Sequence, residues 1–130
     1  MMLMFSAMVM AQAPQKQTQA IDDGKGQIFT VVEKDPEYPG GLEALYQFLA
    51  ANLKYPQGDT ECNGKVYVTF VIEKDGTVDN IKILRDPCPK LGTGEEVMRV
   101  VKLMPKWKPG YVDGKPVRVQ YNLPIMFSRQ

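Results

Sequence analysis

Two cysteines, one tryptophan and no histidine set the chemistry open to this 130-residue chain. Without histidine it lacks the commonest general acid or base, the usual partner of a catalytic serine or cysteine, and the commonest metal ligand. No catalytic residue, metal site or cofactor is therefore expected. The tryptophan, Trp107, lies in MPKWKPG, residues 104–110, flanked by Lys106 and Lys108 and then by Pro105 and Pro109. Such a residue either stacks on a ligand or holds a corner of the fold. Nucleic-acid binding normally shows several aromatics interleaved with a basic stripe, which is absent here. The two prolines stiffen both sides of the ring while the lysines stay in water, so Pro105, Trp107, Pro109 and Gly110 read as a structural corner.

Composition narrows the partners. Sixteen basic against fifteen acidic residues leave a net charge of +1, so no global field calls for nucleic acid or an anionic membrane surface. No small-molecule substrate is indicated either. The length suits one domain with a single core.

Residues 1–13, MMLMFSAMVMAQA, form a short apolar run that ends in Ala11-Gln12-Ala13, the small-x-small form of a signal peptidase site. Export to the periplasm is the expectation, although no Lys or Arg precedes the run; a frayed helix of a cytosolic protein is the alternative. The run is far shorter than the roughly 20 apolar residues that cross a bilayer. Residues 14–27 are polar and carry no apolar periodicity, which predicts a tether, and residues 28–130 form the domain.

The elements that must hold the corner and the cysteines follow from periodicity. Ile28 to Val32 reads as a brief strand, cut off by Asp35-Pro36 and Pro39-Gly40-Gly41. Leu42, Leu45, Tyr46, Phe48, Leu49 and Leu53 recur at helical spacing and predict a helix from Gly41 to about Asn52. In residues 64–86, Val66, Val68, Phe70 and Ile72 alternate with their neighbours up to the turn Lys74-Asp75-Gly76-Thr77. A second strand carrying Val78, Ile81, Ile83 and Leu84 completes a hairpin. Glu95 to Met104 predicts a second helix, stopped by Pro105. After a turn at Asp113-Gly114, alternation from Val117 to Phe127 predicts a long last strand. The fold expected is α+β: a three-stranded antiparallel sheet with two helices on one face, in the order αββαβ with a short N-terminal strand. The last strand is placed at an edge, where Pro124 costs no ladder bond.

Tyr55-Pro56, the run GKVYVTFVIEKDGTVDNIKIL from Gly64 to Leu84, MPKWKPG and the closing GKPVRVQYNLPIMF together resemble the C-terminal domain of TonB, the energy transducer of Gram-negative envelopes. The upstream DPEYPGGLEALYQFLAANLKYP is similar to Bacteroidetes versions. The resemblance implies a periplasmic module that binds the TonB box of outer-membrane TonB-dependent transporters by strand addition, and a structural role for the tryptophan corner. On this chain the implied pairing edge is Val117, Arg118, Val119, Gln120, Tyr121, Asn122 and Leu123. Proline at Val119 is then expected to remove a donor from that edge. Arg118, Gln120 and Asn122 either line its polar side or form the solvated face of an amphipathic strand. The alternative function is an envelope interaction module that binds another extended peptide or forms a homodimer, without coupling to the proton-driven motor. A full TonB carries a membrane anchor and a long Pro/Lys-rich span, from which this chain departs.

The cysteines fit the same frame. Around a turn at Asp75-Gly76, Val68 faces Ile83 and Phe70 faces Ile81, which brings Cys62 and Cys88 together at the open end of the hairpin. Export favours a disulfide between them; two free thiols flanking a loop are the alternative.

Overall fold

The structure, a computed structural model, describes residues 19–56 and 61–128. The signal-like segment 1–13 and the first part of the predicted tether lie outside the described residues. The remaining chain runs β1 (Gln19–Asp22), β2 (Gln27–Val31), α1 (Gly41–Asn52), β3 (Gly64–Ile72), β4 (Val78–Arg85), a 3₁₀ turn (Pro89–Leu91), α2 (Thr93–Lys102), β5 (Gly110–Val112) and β6 (Lys115–Phe127).

β3 is the centre, because it is the strand most continuously apolar: Val66, Val68, Phe70 and Ile72 are all fully buried. β6 lies antiparallel beside it in unbroken register, from Gly64 opposite Phe127 to Ile72 opposite Val119. β4 closes the hairpin on the other side. Val68 does face Ile83, but the register shifts between Thr69 and Val71, near Asn80, which adopts φ 50. Both helices cover one face. Leu45 and Leu49 of α1 and Val97, Val100 and Val101 of α2 pack with the inward side chains of β3 and with Leu123, Ile125 and Phe127 of β6. At the start of α2 the carboxylate of Asp86 accepts hydrogen bonds from the Thr93 hydroxyl and the Gly94 N–H, the latter one of the N–H groups left free at the helix start.

The sheet is larger than three antiparallel strands. Its order is β1-β2-β6-β3-β4, with β5 paired to the start of β6, and it is mixed because β2 runs parallel to β6. Gln19–Asp22, inside the polar stretch predicted to be a tether, is a strand antiparallel to β2. The β1–β2 hairpin curls over the back of the sheet, so that Ile28 is buried and Ile21 and Ile28 lie around Thr69, Val71 and Gln120.

Cys62 and Cys88 are bonded, with Cα atoms 6.0 Å apart. Cys62 is fully buried, and its backbone N–H and C=O both pair with the Tyr55 hydroxyl at 2.7 Å. The bridge closes a loop across 26 positions, worth about 3 kcal/mol on the chain-entropy estimate. A Cys62→Ala/Cys88→Ala double variant is expected to lose about that much in urea unfolding; an unchanged midpoint would contradict it.

Candidate functional site

The seven residues expected at an edge do not all lie at one. Val117 is opposite Gly110 of β5, and Arg118 and Val119 are opposite Ile28 and Phe29 of β2. The own chain therefore occupies the first part of this side of β6. Beyond the bridge at Val119, which in a parallel ladder is made through the flanking Arg118 and Gln120, β2 departs, and among the described residues no strand pairs with the outer side of Tyr121 to Phe127. That open stretch is roughly 25 Å long at the strand rise.

Arg118 belongs to the hairpin's anchorage. It is buried, with Nη1 and Nη2 donating to the two carboxylate oxygens of Asp23 at 2.8 and 2.9 Å. Its Nε donates to Glu73 at 2.5 Å and its Nη1 also to the Gly26 carbonyl at 3.1 Å. Asp23 further accepts from Asn80 Nδ2 and the Lys25 N–H. The Arg118 hydrogen bonds hold the Asp23 carboxyl well below the usual carboxylate range, and Asp23 and Glu73 raise the guanidinium in return. Arg118 thus ties the β1–β2 turn to the sheet and is not available at the open edge.

Which amides face outward can be read from one side chain. The Thr69 hydroxyl of β3 donates to the Tyr121 carbonyl at 3.2 Å, so that carbonyl turns toward β3. Antiparallel ladders alternate, so Val119, Tyr121, Leu123, Ile125 and Phe127 bond to β3, while Gln120, Asn122, Pro124 and Met126 turn their backbone groups outward. Pro124 falls on the outward set, where its missing N–H takes nothing from the β3 ladder and where it offers only a carbonyl. Val119 belongs to the inward set and faces Ile72. Proline there breaks the β3 ladder, so the donor whose loss tests the open edge is that of Asn122.

α1 runs alongside this edge. Leu42, with Thr30, Val32 and Pro36, lines a hollow of about 490 Å³ against Gln120, Tyr121 and Asn122. Tyr46, Ala50 and Leu53 line a second of about 470 Å³ against Pro124 to Ser128. Burial raises the Tyr121 phenol above its usual range, with Tyr46 and Asp35 adding to the rise. Leu42 and Tyr46 are 59% and 55% exposed, unusual for large apolar residues on a helix that faces a core. The sequence contained the signal for them: the apolar positions of this helix cover more of its circumference than one core contact uses.

The other open edge is a poorer template. β4 has register shifts at two places against β3, a left-handed Asn80, and exposed Asp79, Lys82 and Arg85 along it. Bulges and charges are the devices that blunt an edge against pairing. β1 is four residues long with a shift of its own.

The corner adjoins this groove through Tyr121. Trp107 is buried, its ring 4.9 Å from Tyr121, 5.5 Å from Tyr38 and 5.7 Å from Phe70. Its backbone N–H donates to the Gly76 carbonyl at 2.8 Å, which joins the corner to the β3–β4 turn. At Gly110 a Cβ would meet Val119 Cγ2 at 2.6 Å, so the strand pair there needs glycine. Among the described residues no group of His, Cys, Asp and Glu could hold a metal, and no helix is long and apolar enough to cross a membrane.

The family model of the Gram-negative bacterial TonB protein C-terminal matches residues 51–128, from the end of α1 through β6. The chain belongs to the TonB C-terminal domain family. No curated protein matches it. TonB C-terminal domains are protein-interaction domains of the Gram-negative envelope that work with outer-membrane transporters in energy transduction. In this TonB domain the matched region holds β3, β4, α2, β5 and β6, whereas the β1–β2 hairpin and most of α1 lie upstream of the match.

Proposed function

We propose that this TonB domain binds the TonB box of an outer-membrane transporter by adding it as a strand to β6 between Tyr121 and Phe127, on the periplasmic side of the envelope. The observation that carries this reading is the regular, unpartnered edge with outward-facing amides at Asn122 and Met126, bordered by a groove along α1. Strand addition takes its affinity from such backbone groups and asks for no catalytic side chain. The site is displaced toward the C-terminus relative to the Val117–Leu123 edge that the family resemblance implies, because β2 and β5 fill the first three of those positions.

Asn122→Pro tests it. Asn122 is exposed and its N–H is not used by β3, so the variant is expected to fold while losing at least tenfold in affinity for a transporter TonB-box peptide in isothermal titration. Asn122→Ala should bind as the wild type does. Unchanged affinity in the folded proline variant would count against strand addition at this edge.

A further inference from the structure

Resting on that reading, we propose that Leu42 and Tyr46 make the groove selective for side chains: the seated strand must present apolar residues at the two positions that face α1, while the positions between them are unconstrained. A strand added beside β6 continues the sheet at a spacing of about 4.8 Å, and its side chains alternate between the helix-covered face and the back. On the helix-covered face β6 itself presents Tyr121, Leu123, Ile125 and Phe127, already roofed in part by Leu45 and Leu49. Leu42, Tyr46 and Ala50 follow one another at four-residue intervals on the side of α1 that overhangs the open edge. The roof therefore extends past the last strand, over a place where the structure has no floor.

Dimensions set how many residues are read. From Leu42 to Ala50 the helix advances roughly 12 Å, and same-face residues of a strand recur about every 6.6 Å, so the stripe covers two of them. On the back, an incoming residue meets Gln120 and Asn122, which are polar, then Pro124 and Met126, which are exposed, and among the described residues no helix covers that face. The domain's own β2 gives an instance of the same edge occupied by an extended apolar segment: Ile28 and Phe29 lie opposite Arg118 and Val119, and the open groove continues that line. The occupant is thus an extended segment of a partner protein with apolar side chains two residues apart.

The test uses two acetylated, amidated heptapeptides, Lys-Thr-Val-Thr-Val-Thr-Lys and its counterpart with serine for both valines, titrated into the wild type, Leu42→Gln/Tyr46→Gln and Asn122→Pro by NMR. Both substituted α1 side chains are more than half exposed, so the double variant is expected to fold. The wild type should prefer the valine peptide by at least tenfold, the double variant should bind both peptides within about twofold of each other, and Asn122→Pro should bind neither. A wild type that takes neither peptide, or both equally, overturns the selectivity, as does an undiminished preference in the double variant. If those results come while Asn122→Pro still abolishes binding of a TonB-box peptide, strand addition stands and only the side-chain reading falls. If Asn122→Pro binds normally, strand addition falls as well.

Discussion

Trp107→Ala is expected to destabilise the domain by about 3 to 5 kcal/mol, the usual cost of truncating a buried tryptophan. The ring is 4% exposed and meets Tyr38, Phe70 and Tyr121 edge-on, so its loss opens a cavity among three aromatics contributed by three different parts of the chain. Since a domain of this size has only about 5 to 15 kcal/mol in all, urea unfolding should shift far toward low denaturant. Trp107→Phe should cost less, because the indole Nε1 has no hydrogen-bond partner among the described residues and its removal leaves no further group unsatisfied. A tryptophan that served only to stack on a ligand would leave the midpoint where it was.

Gly76→Ala should cost about 3 kcal/mol or more, although it adds one methyl group in a turn. Gly76 adopts φ +90, and a Cβ there would lie 2.0 Å from the Trp107 carbonyl oxygen, a backbone atom that cannot swing aside. The Gly76 carbonyl in turn accepts the Trp107 backbone N–H. Left-handed strain and the clash therefore act together, and relieving them means pulling the β3–β4 turn away from the corner. Gly114→Ala is the matched control: φ is +72, yet nothing lies within 4 Å of the added atom, so only backbone strain of about 1 kcal/mol is expected. Equal losses in the two variants would show that contact with Trp107 adds nothing.

Periodic segments were legible in the sequence, and segments held by distant partners were not. α1 spans Gly41–Asn52, as the spacing of Leu42, Leu45, Tyr46 and Leu49 predicts, and the β3–β4 hairpin turns at Asp75-Gly76. The pairing of Cys62 with Cys88 followed from that hairpin's register even though irregularities shift it at two places. β1 was not legible. All four of its residues are exposed and only Ala20 and Ile21 are apolar, so its strand geometry depends on pairing with β2 and on the Arg118–Asp23 contact 95 positions away. β5 has three residues and is defined by its pairing with Lys115, Pro116 and Val117.

The candidate site divides in the same way. Alternation identified β6 and the position of Pro124, but it could not tell which side of the strand another segment covers. Arg118 reads in the sequence as one of three polar residues on a single face, together with Gln120 and Asn122. Only the folded chain separates it from them, by burying it between Asp23 and Glu73. The exposed stripe on α1 was visible as a surplus of apolar residues, and its use became apparent once the edge beside it was located.

Amide hydrogen exchange along β6, measured with and without a transporter TonB-box peptide, tests strand addition at this edge most directly. The predicted result is new protection at Asn122 and Met126, whose amides turn outward, with little change at Val119, Tyr121 and Leu123, whose amides are bonded to β3, or at Gln120, whose amide is bonded to β2. Unchanged exchange at these two outward amides, with protection appearing along Val78–Arg85 of β4 instead, would contradict it.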